Sequence, residues 1–449
     1  VSRASVRSEL EAILAAALQT VDGERLVRAA VAADGEGRVR LAGRPVARGA
    51  RLQVVAVGKA AAAMAAGLEA VAGARVARGL VVTKDGHLRP AAGPGGLPPS
   101  RWTQREAGHP VPDGRSEAAA REVLARAAAT GPDDVLVVLL SGGASALLGC
   151  PAPGLRREDL EATTRVLLDA GADIEELNTV RKHLSEVAGG RLARAAGAGC
   201  IELLAISDVV GDRLDVIGSG PCSPDPTRYA DALGVLGQRA VRNRVPAAVL
   251  DHLAAGARGE RAESPKPGEP GFERVHATLL AANATALASA AAAARSRGLV
   301  PIVVSRALRG EARTVGARLA ALALGLRPAR PTCLVAGGET TVTVRGPGRG
   351  GRCQELALAA ARVLAGEGRG SLLAAGTDGS DGPTDAAGAF ADGETVPRGA
   401  ARGVDATASL AANDAYGFFR AEGGLLHTGP TGTNVMDLVL VHVAAPGGV

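Results

Sequence analysis

Apolar residues recur along this chain in short solid runs, each closed by a turn and followed by a helix-favouring stretch. The runs cover 52–57, 79–83, 134–140, 202–207, 300–304, 333–336, 371–375 and 437–443. Runs of this length without polar alternation predict strands covered on both faces. The segment 341–344 instead alternates threonine with valine, the period of a half-buried strand. Between the runs lie alanine- and leucine-rich stretches that predict helices: 1–32, 60–71, 116–129, a helix from Asn178, 283–295, 311–324, and a helix opening at Gln354. Alternation of strand and helix predicts an α/β fold of two domains, each with a largely parallel sheet flanked by helices. Residues 258–273 mix charge, proline and glycine and form the predicted linker between 1–257 and 274–449.

Composition narrows the picture. Aromatic residues make up only 2% of the 449, so alanine, valine and leucine must fill the core. Such a core suits helices lying close on a sheet. The apolar run at 135–140 is far too short to span a bilayer, and the first stretch reads as an amphipathic helix without a signal peptide's apolar segment. No membrane role is expected. Cys150, Cys200, Cys222, Cys333 and Cys353 lack metal-like spacing and suit a reducing cytoplasm. The net charge of +5 is spread along the chain, and there is little aromatic surface for stacking bases. Nucleic acid is therefore not an expected partner. Positive charge is almost all arginine. The four lysines are Lys59, Lys84, Lys182 and Lys266, and the first three fall in or beside glycine-bearing motifs.

The candidate chemistry sits where strands end. Lys59 follows the run 52–57 at a strand-to-helix turn, the usual ligand position of an open α/β sheet. The spacing is neither that of a Walker A loop nor that of a dinucleotide fingerprint. The run 134–140 leads into Ser141-Gly142-Gly143-Ala144-Ser145, a turn form that gathers backbone amides and hydroxyls around a phosphate or carboxylate. Arg181 lies on the helix from Asn178, one turn from Ser185. Asp208 closes the run 202–207, the position of a base or a magnesium ligand. Residues 345–352 place Arg345, Arg349 and Arg352 among glycines just before a helix, a pattern suited to an anion. Asp378, Asp381 and Asp385 crowd one glycine-rich loop that could hold magnesium through one or two carboxylates. Substrate or phosphate binding is assigned to Ser141, Gly142, Gly143, Ser145, Arg181, Glu339, Gly350 and Gly351, and metal binding to Asp378 and Asp381.

Taken in order, VGKAAAAMA (57–65), GHPVPD (108–113), LLSGGASALL (139–148), NTVRKHLSEVAGGRLA (178–193), SDVVGDRLDVIGSGP (207–221), GGETTVTVRGPGRGGRCQELALAAA (337–361), GTDGSDGPTDAAGA (376–389) and TGPTGTN (428–434) resemble the glycerate 2-kinase family, whose C-terminal half is called MOFRL. The resemblance implies a Rossmann-like N-terminal kinase domain (1–257) and a C-terminal domain containing the MOFRL region at about 331–445. It implies ATP- and Mg²⁺-dependent phosphorylation of D-glycerate on its 2-hydroxyl, in a cleft between domains. Apart from the resemblance, a monomer or homodimer is expected. The resemblance places Lys59 and Arg352 as leading catalytic residues; Asp208 joins them as a catalytic candidate on its strand-end position alone. Cys353 stands where the family usually has asparagine, and Met436 where a polar residue is common. The competing expectations are an NAD(P)H-dependent hydroxypyruvate reductase and a non-catalytic sugar-acid sensor.

Overall fold

The fully apolar runs become the central strands of two sheets. A computed structural model describes residues 3–93 and 95–445. The chain divides into two compact units, one of residues Gly23–Leu280 and the other of residues up to Asp22 and from Ala281 onward. Residues 258–273 lie inside the first unit, and the chain passes to the second at Leu280–Ala281.

The first unit opens with a small antiparallel sheet of β1 (Val31–Ala33), β2 (Val39–Leu41) and β3 (Arg44–Pro45). Its main strands are β4 (Leu52–Val57), β5 (Val76–Lys84), β6 (Trp102–Ala107), β7 (Val135–Leu140), β8 (Cys200–Ile206) and β9 (Val275–Ala281), in the order β6-β5-β4-β7-β8-β9. The ladders from β6 through β8 are parallel. The chain leaves β4 towards β5 and β6, then returns to β7 on the other side, so the order reverses between β4 and β7. In an open parallel sheet that reversal parts the connecting loops and opens a ligand crevice at the C-terminal strand ends. Helix Ala61–Ala72 is almost wholly buried, as its run of alanines allows.

The second unit contains β10 (Val300–Leu308), β11 (Thr332–Gly338), β12 (Gly370–Gly376), β13 (Gly388–Asp392), β14 (Leu425–Leu426) and β15 (Asp437–Val443), in the order β10-β11-β15-β12-β13-β14. β10 and β11 are parallel, and β15 lies antiparallel between β11 and β12. β13 also runs against its neighbours. Four strands therefore share one direction while two oppose it, which refines the expected parallel sheet. Helix Arg352–Leu364 lies buried against this sheet, and Gly316 on helix Ala312–Gly325 lets the two helices approach until a side chain would overlap the Leu356 carbonyl.

Two expected elements are corrected. Residues 341–344 form no strand: Thr341 makes one isolated bridge to Glu311, and Val344 is 73% exposed. Both edges of β11 are already taken by β10 and β15, so no hairpin partner can join it. The expected helix over 1–32 is broken into Arg3–Thr20 and Gly23–Ala30, and the two pieces fall in different units.

Candidate active site

The turns after β4 and β7 interlock. Gly58 has φ +125°, and a side chain there would overlap Ser141 Oγ and its backbone, so only glycine fits. The Lys59 amide donates to Gly142 O (2.9 Å), the Ala60 amide to Ser141 Oγ (3.0 Å), and the Ser141 amide to Val57 O (2.9 Å). The amides opening helix Ala61–Ala72 are thereby consumed inside the protein. The second turn behaves differently. Among the described residues, the amides of Gly142, Gly143 and Ala144 find no backbone or side-chain acceptor. Gly143 has φ +88°, and a β-carbon built on it would lie 3.1 Å from the His109 ring and 3.3 Å from Lys59 Cγ. Lys59, His109 and the open amides of this turn are thus neighbours. Asp208, half-buried, lies two residues past β8 at the same end of the sheet.

A cavity of about 510 Å³ within the first unit adjoins this turn. Ser145, His109, Arg181 and Ser219 are among its polar lining, the paired Arg157 and Glu161 also border it, and leucines and valines supply much of the rest. Ser145 Oγ lies 2.8 Å from Ser219 Oγ, and Ser219 Oγ donates to Asn178 Oδ1 at 2.9 Å. Ser219 holds φ +59°, an unusual conformation for a residue with a side chain. Arg181 is half-buried, and its guanidinium has no hydrogen-bond or ion-pair partner among the described residues; burial lowers its pKa. A partly desolvated cation beside an apolar cavity favours an anionic ligand. The next residue does the opposite. Lys182 is buried between Asp215 and Asp225, 3.4 Å from each, and so serves the interior of the unit.

In the second unit Arg352 opens helix Arg352–Leu364. Its guanidinium grips Asp437, the first residue of β15, with both carboxylate oxygens engaged (2.6 and 2.9 Å), and reaches Glu339 at 2.9 Å. Burial opposes the charge on Arg352, but Asp437 and Glu339 outweigh it and raise its pKa. Asp381 is buried and accepts from the Cys353 and Gln354 amides (3.1 and 2.8 Å), so it caps this helix. Burial and nearby Asp437 push its carboxyl up to about 7. Asp378 Oδ1 accepts from the Ser380 amide and hydroxyl (3.0 and 3.1 Å). The glycine loop before the helix is docked on residues 412–416. Arg345 and Gly346 amides donate to Asn413 Oδ1, Gly348 to Ala412 O, and Arg349 to Asp414 Oδ1. Arg349 itself stacks 4.9 Å from the centre of the Tyr416 ring. Several loop amides expected to face an anion thus hold the loop in place. Gly351 lies where a side chain would overlap Asp381, and Gly350 packs on Ala415.

Sequence reading missed Ser219, Asn413 and Asp437. Ser219 sat unassigned in a glycine turn. The available signal for Asp437 was a charged residue opening an apolar strand.

These features define a two-unit α/β protein with ligand-type turns at the ends of its strands. The model for a domain of unknown function, DUF4147, matches residues 9–254, and the MOFRL family model matches 332–437. The chain is 40% identical to the glycerate 2-kinase of Pyrococcus horikoshii over 405 residues, which is 89% of this chain and 88% of that one. It is 41% identical to the D-glycerate 2-kinase of Thermotoga maritima over 397 residues, covering 87% and 90%. A putative hydroxypyruvate reductase of Agrobacterium vitis is 42% identical over 395 residues, covering 86% of each. The crystal structure of the Thermotoga maritima glycerate kinase superposes with a TM-score of 0.78 at 37% identity, covering 98% of this chain and all of that one. The chain belongs to the glycerate 2-kinase family.

Proposed function

We infer that this protein is an ATP-dependent D-glycerate 2-kinase. It transfers the γ-phosphoryl of ATP to the 2-hydroxyl of D-glycerate, giving 2-phosphoglycerate and ADP. The observation that carries this reading within the fold is the turn 141–145: open amides beside Lys59, next to a cavity bordered by Arg181, which has no partner among the described residues. Kinship with glycerate 2-kinases over most of the chain supports it. Phosphoryl transfer needs positioning and charge neutralisation more than covalent chemistry.

Each residue then has a role. The Gly142, Gly143 and Ala144 amides hold a phosphate or the glycerate carboxylate, Ser145 braces their turn by donating to Ser219, and Arg181 pairs with the carboxylate. Lys59 and Arg352 neutralise the transferring phosphoryl, with Glu339 and Asp437 setting the plane of the Arg352 guanidinium. Asp208 takes the proton of the 2-hydroxyl as its oxygen bonds to phosphorus and the β,γ bond breaks. The loop at 376–385 offers carboxylate, hydroxyl and carbonyl oxygens, a donor set that fits a hard divalent cation. Asp378 is the proposed Mg²⁺ ligand, and Asp381 supports it by fixing the helix that carries Arg352. Mg²⁺ bound there would offset charge on the phosphate oxygens. The five free cysteines suit a reducing cytoplasm.

The reductase reading is weaker. A dinucleotide needs glycine backbone and free amides at a strand-to-helix turn for its pyrophosphate. After β4, Gly58 packs against Ser141 and the next two amides are consumed, and the open turn after β7, Ser141-Gly142-Gly143-Ala144-Ser145, lacks the glycine spacing of a dinucleotide fingerprint.

The test is ATP, Mg²⁺ and D-glycerate with enolase coupling and no added mutase. Enolase signal identifies 2-phosphoglycerate directly. ADP release without enolase signal would place the phosphoryl elsewhere, and no ADP would overturn the kinase. Lys59→Met should lower kcat at least ~100-fold with an unchanged melting temperature, because loss of one transition-state charge partner has that order of effect. Unaltered turnover would remove Lys59 from the chemistry.

A further inference from the structure

At the opposite end of β8 from Asp208, three side chains of different chemistry converge. Cys200 and Glu202 are two residues apart on β8 and so project from one face of the sheet. His276 is the second residue of β9, the strand bordering β8. One candidate ligand atom from each lies within 4.8 Å of the other two, and Cys200 Sγ is 3.9 Å from a Glu202 oxygen. We propose that Cys200, Glu202 and His276 form a site for a borderline-soft divalent cation of the zinc class.

The donor set supports this choice. Thiolate, imidazole and carboxylate together are poor company for Mg²⁺ or Ca²⁺ and good company for Zn²⁺. Tetrahedral bonds of roughly 2.0–2.3 Å place ligand atoms about 3.5 Å apart, so modest rotamer shifts close the three around an ion and leave a fourth position for water. Electrostatics agree. Glu202 is only 3% exposed, and its ion-pair partner Arg44 lies 3.3 Å away with a side chain 44% exposed. Glu202 is thus a buried carboxylate with one half-exposed cation beside it, and it would gain from a second. A carboxylate can bind metal through one oxygen and keep Arg44 on the other.

The location assigns the role. Cys200 and the end of β8 at Ile206 are separated by roughly 20 Å of strand, at about 3.3 Å per residue. The ion is therefore structural. It would clip β9, the edge strand and last element of the unit, to its neighbour, and its binding would release the Cys200 thiol proton.

Co²⁺ is the probe, added to full-length protein stripped of metal with a chelator. About one equivalent should saturate a near-ultraviolet sulfur-to-cobalt band and the strong visible bands of four-coordinate cobalt. Zn²⁺ should abolish both and raise the melting temperature. Cys200→Ser should lose the sulfur band while keeping its circular dichroism. His276→Gln should bind at least about tenfold more weakly. Two results would overturn the site: no saturable band, or an equal band in Cys200→Ser, which would place binding at another cysteine. These readouts do not depend on kinase activity, so they stand or fall separately from the proposed reaction.

Discussion

Two neighbouring residues show how opposite roles arise from one helical turn. Lys182 is buried with two aspartates, whereas Arg181 borders the cavity with no partner among the described residues. A structural arginine should cost stability when removed, and a ligand-binding one should not. Arg181→Met should therefore raise KM for D-glycerate by about tenfold or more, since a charge-assisted pair contributes on the order of 1.5–3 kcal/mol. Its melting temperature should hold or rise, because a desolvated, unpaired charge has been removed. Steady-state kinetics beside thermal unfolding check both halves. A lowered melting temperature with unchanged KM would make Arg181 structural. The sequence placed Arg181 among binding residues but gave no means of separating it from Lys182. Periodicity reports which face of a helix is apolar, not which polar group finds a partner across the fold.

At the scale of elements, the junction of helix Arg352–Leu364 with β15 joins stability to function. Removing Arg352 strands Asp437, whose side chain is only 5% exposed, beside Asp381. Arg352→Met should lose turnover and also several kcal/mol of stability, as removal of one partner from a buried pair does. The double variant Arg352→Met with Asp437→Asn should regain most of the stability and none of the turnover. Denaturant melts and the enolase-coupled assay separate the two effects. Recovery of activity in the double variant would make Arg352 dispensable. The central strands were legible because burial on both faces writes a solid apolar run. β6 was not legible: its middle reads Thr-Gln-Arg-Glu, and only the sheet edge explains it. β15 was legible as a strand but not in its place, since nothing local tells a terminal strand to insert between β11 and β12. The same gap hid Asp437, whose role exists only once β15 lies beside the helix.

For the molecule as a whole, acid should be destabilising through its histidines. Burial lowers the pKa of His183, His252 and His442. Their folded values lie below the unfolded value near 6.5, so the unfolded chain takes up the protons. The stability they support is present above about pH 6.5 and is lost as pH falls through that value. Asp381 acts in the other direction, because its raised value near 7 lets the folded state keep a proton that the unfolded state releases above about 4. His183→Asn should therefore flatten the fall in urea midpoint between pH 7.5 and 5.5, and an unchanged slope would exclude His183 as a source. The α/β class and two-domain plan were readable from the strand–helix alternation. The allotment of the first helix was not, because its apolar face says only that it packs, not on what.

That first helix has a topological consequence. Arg3–Thr20 packs on helix Asn283–Ser296 and on β12 and β15, with Arg3 paired to Asp392 and Arg7 donating to the Gly423 and Leu425 carbonyls. The polypeptide thus crosses from one unit to the other twice, at Asp22–Gly23 and at Leu280–Ala281. No single break in the backbone divides the protein into its two units. A nick at the second crossing leaves one unit assembled from two pieces of chain, with its first helix still covalently leashed to the other. The units are stitched rather than strung, and covalent separation of the two takes a cut at both crossings.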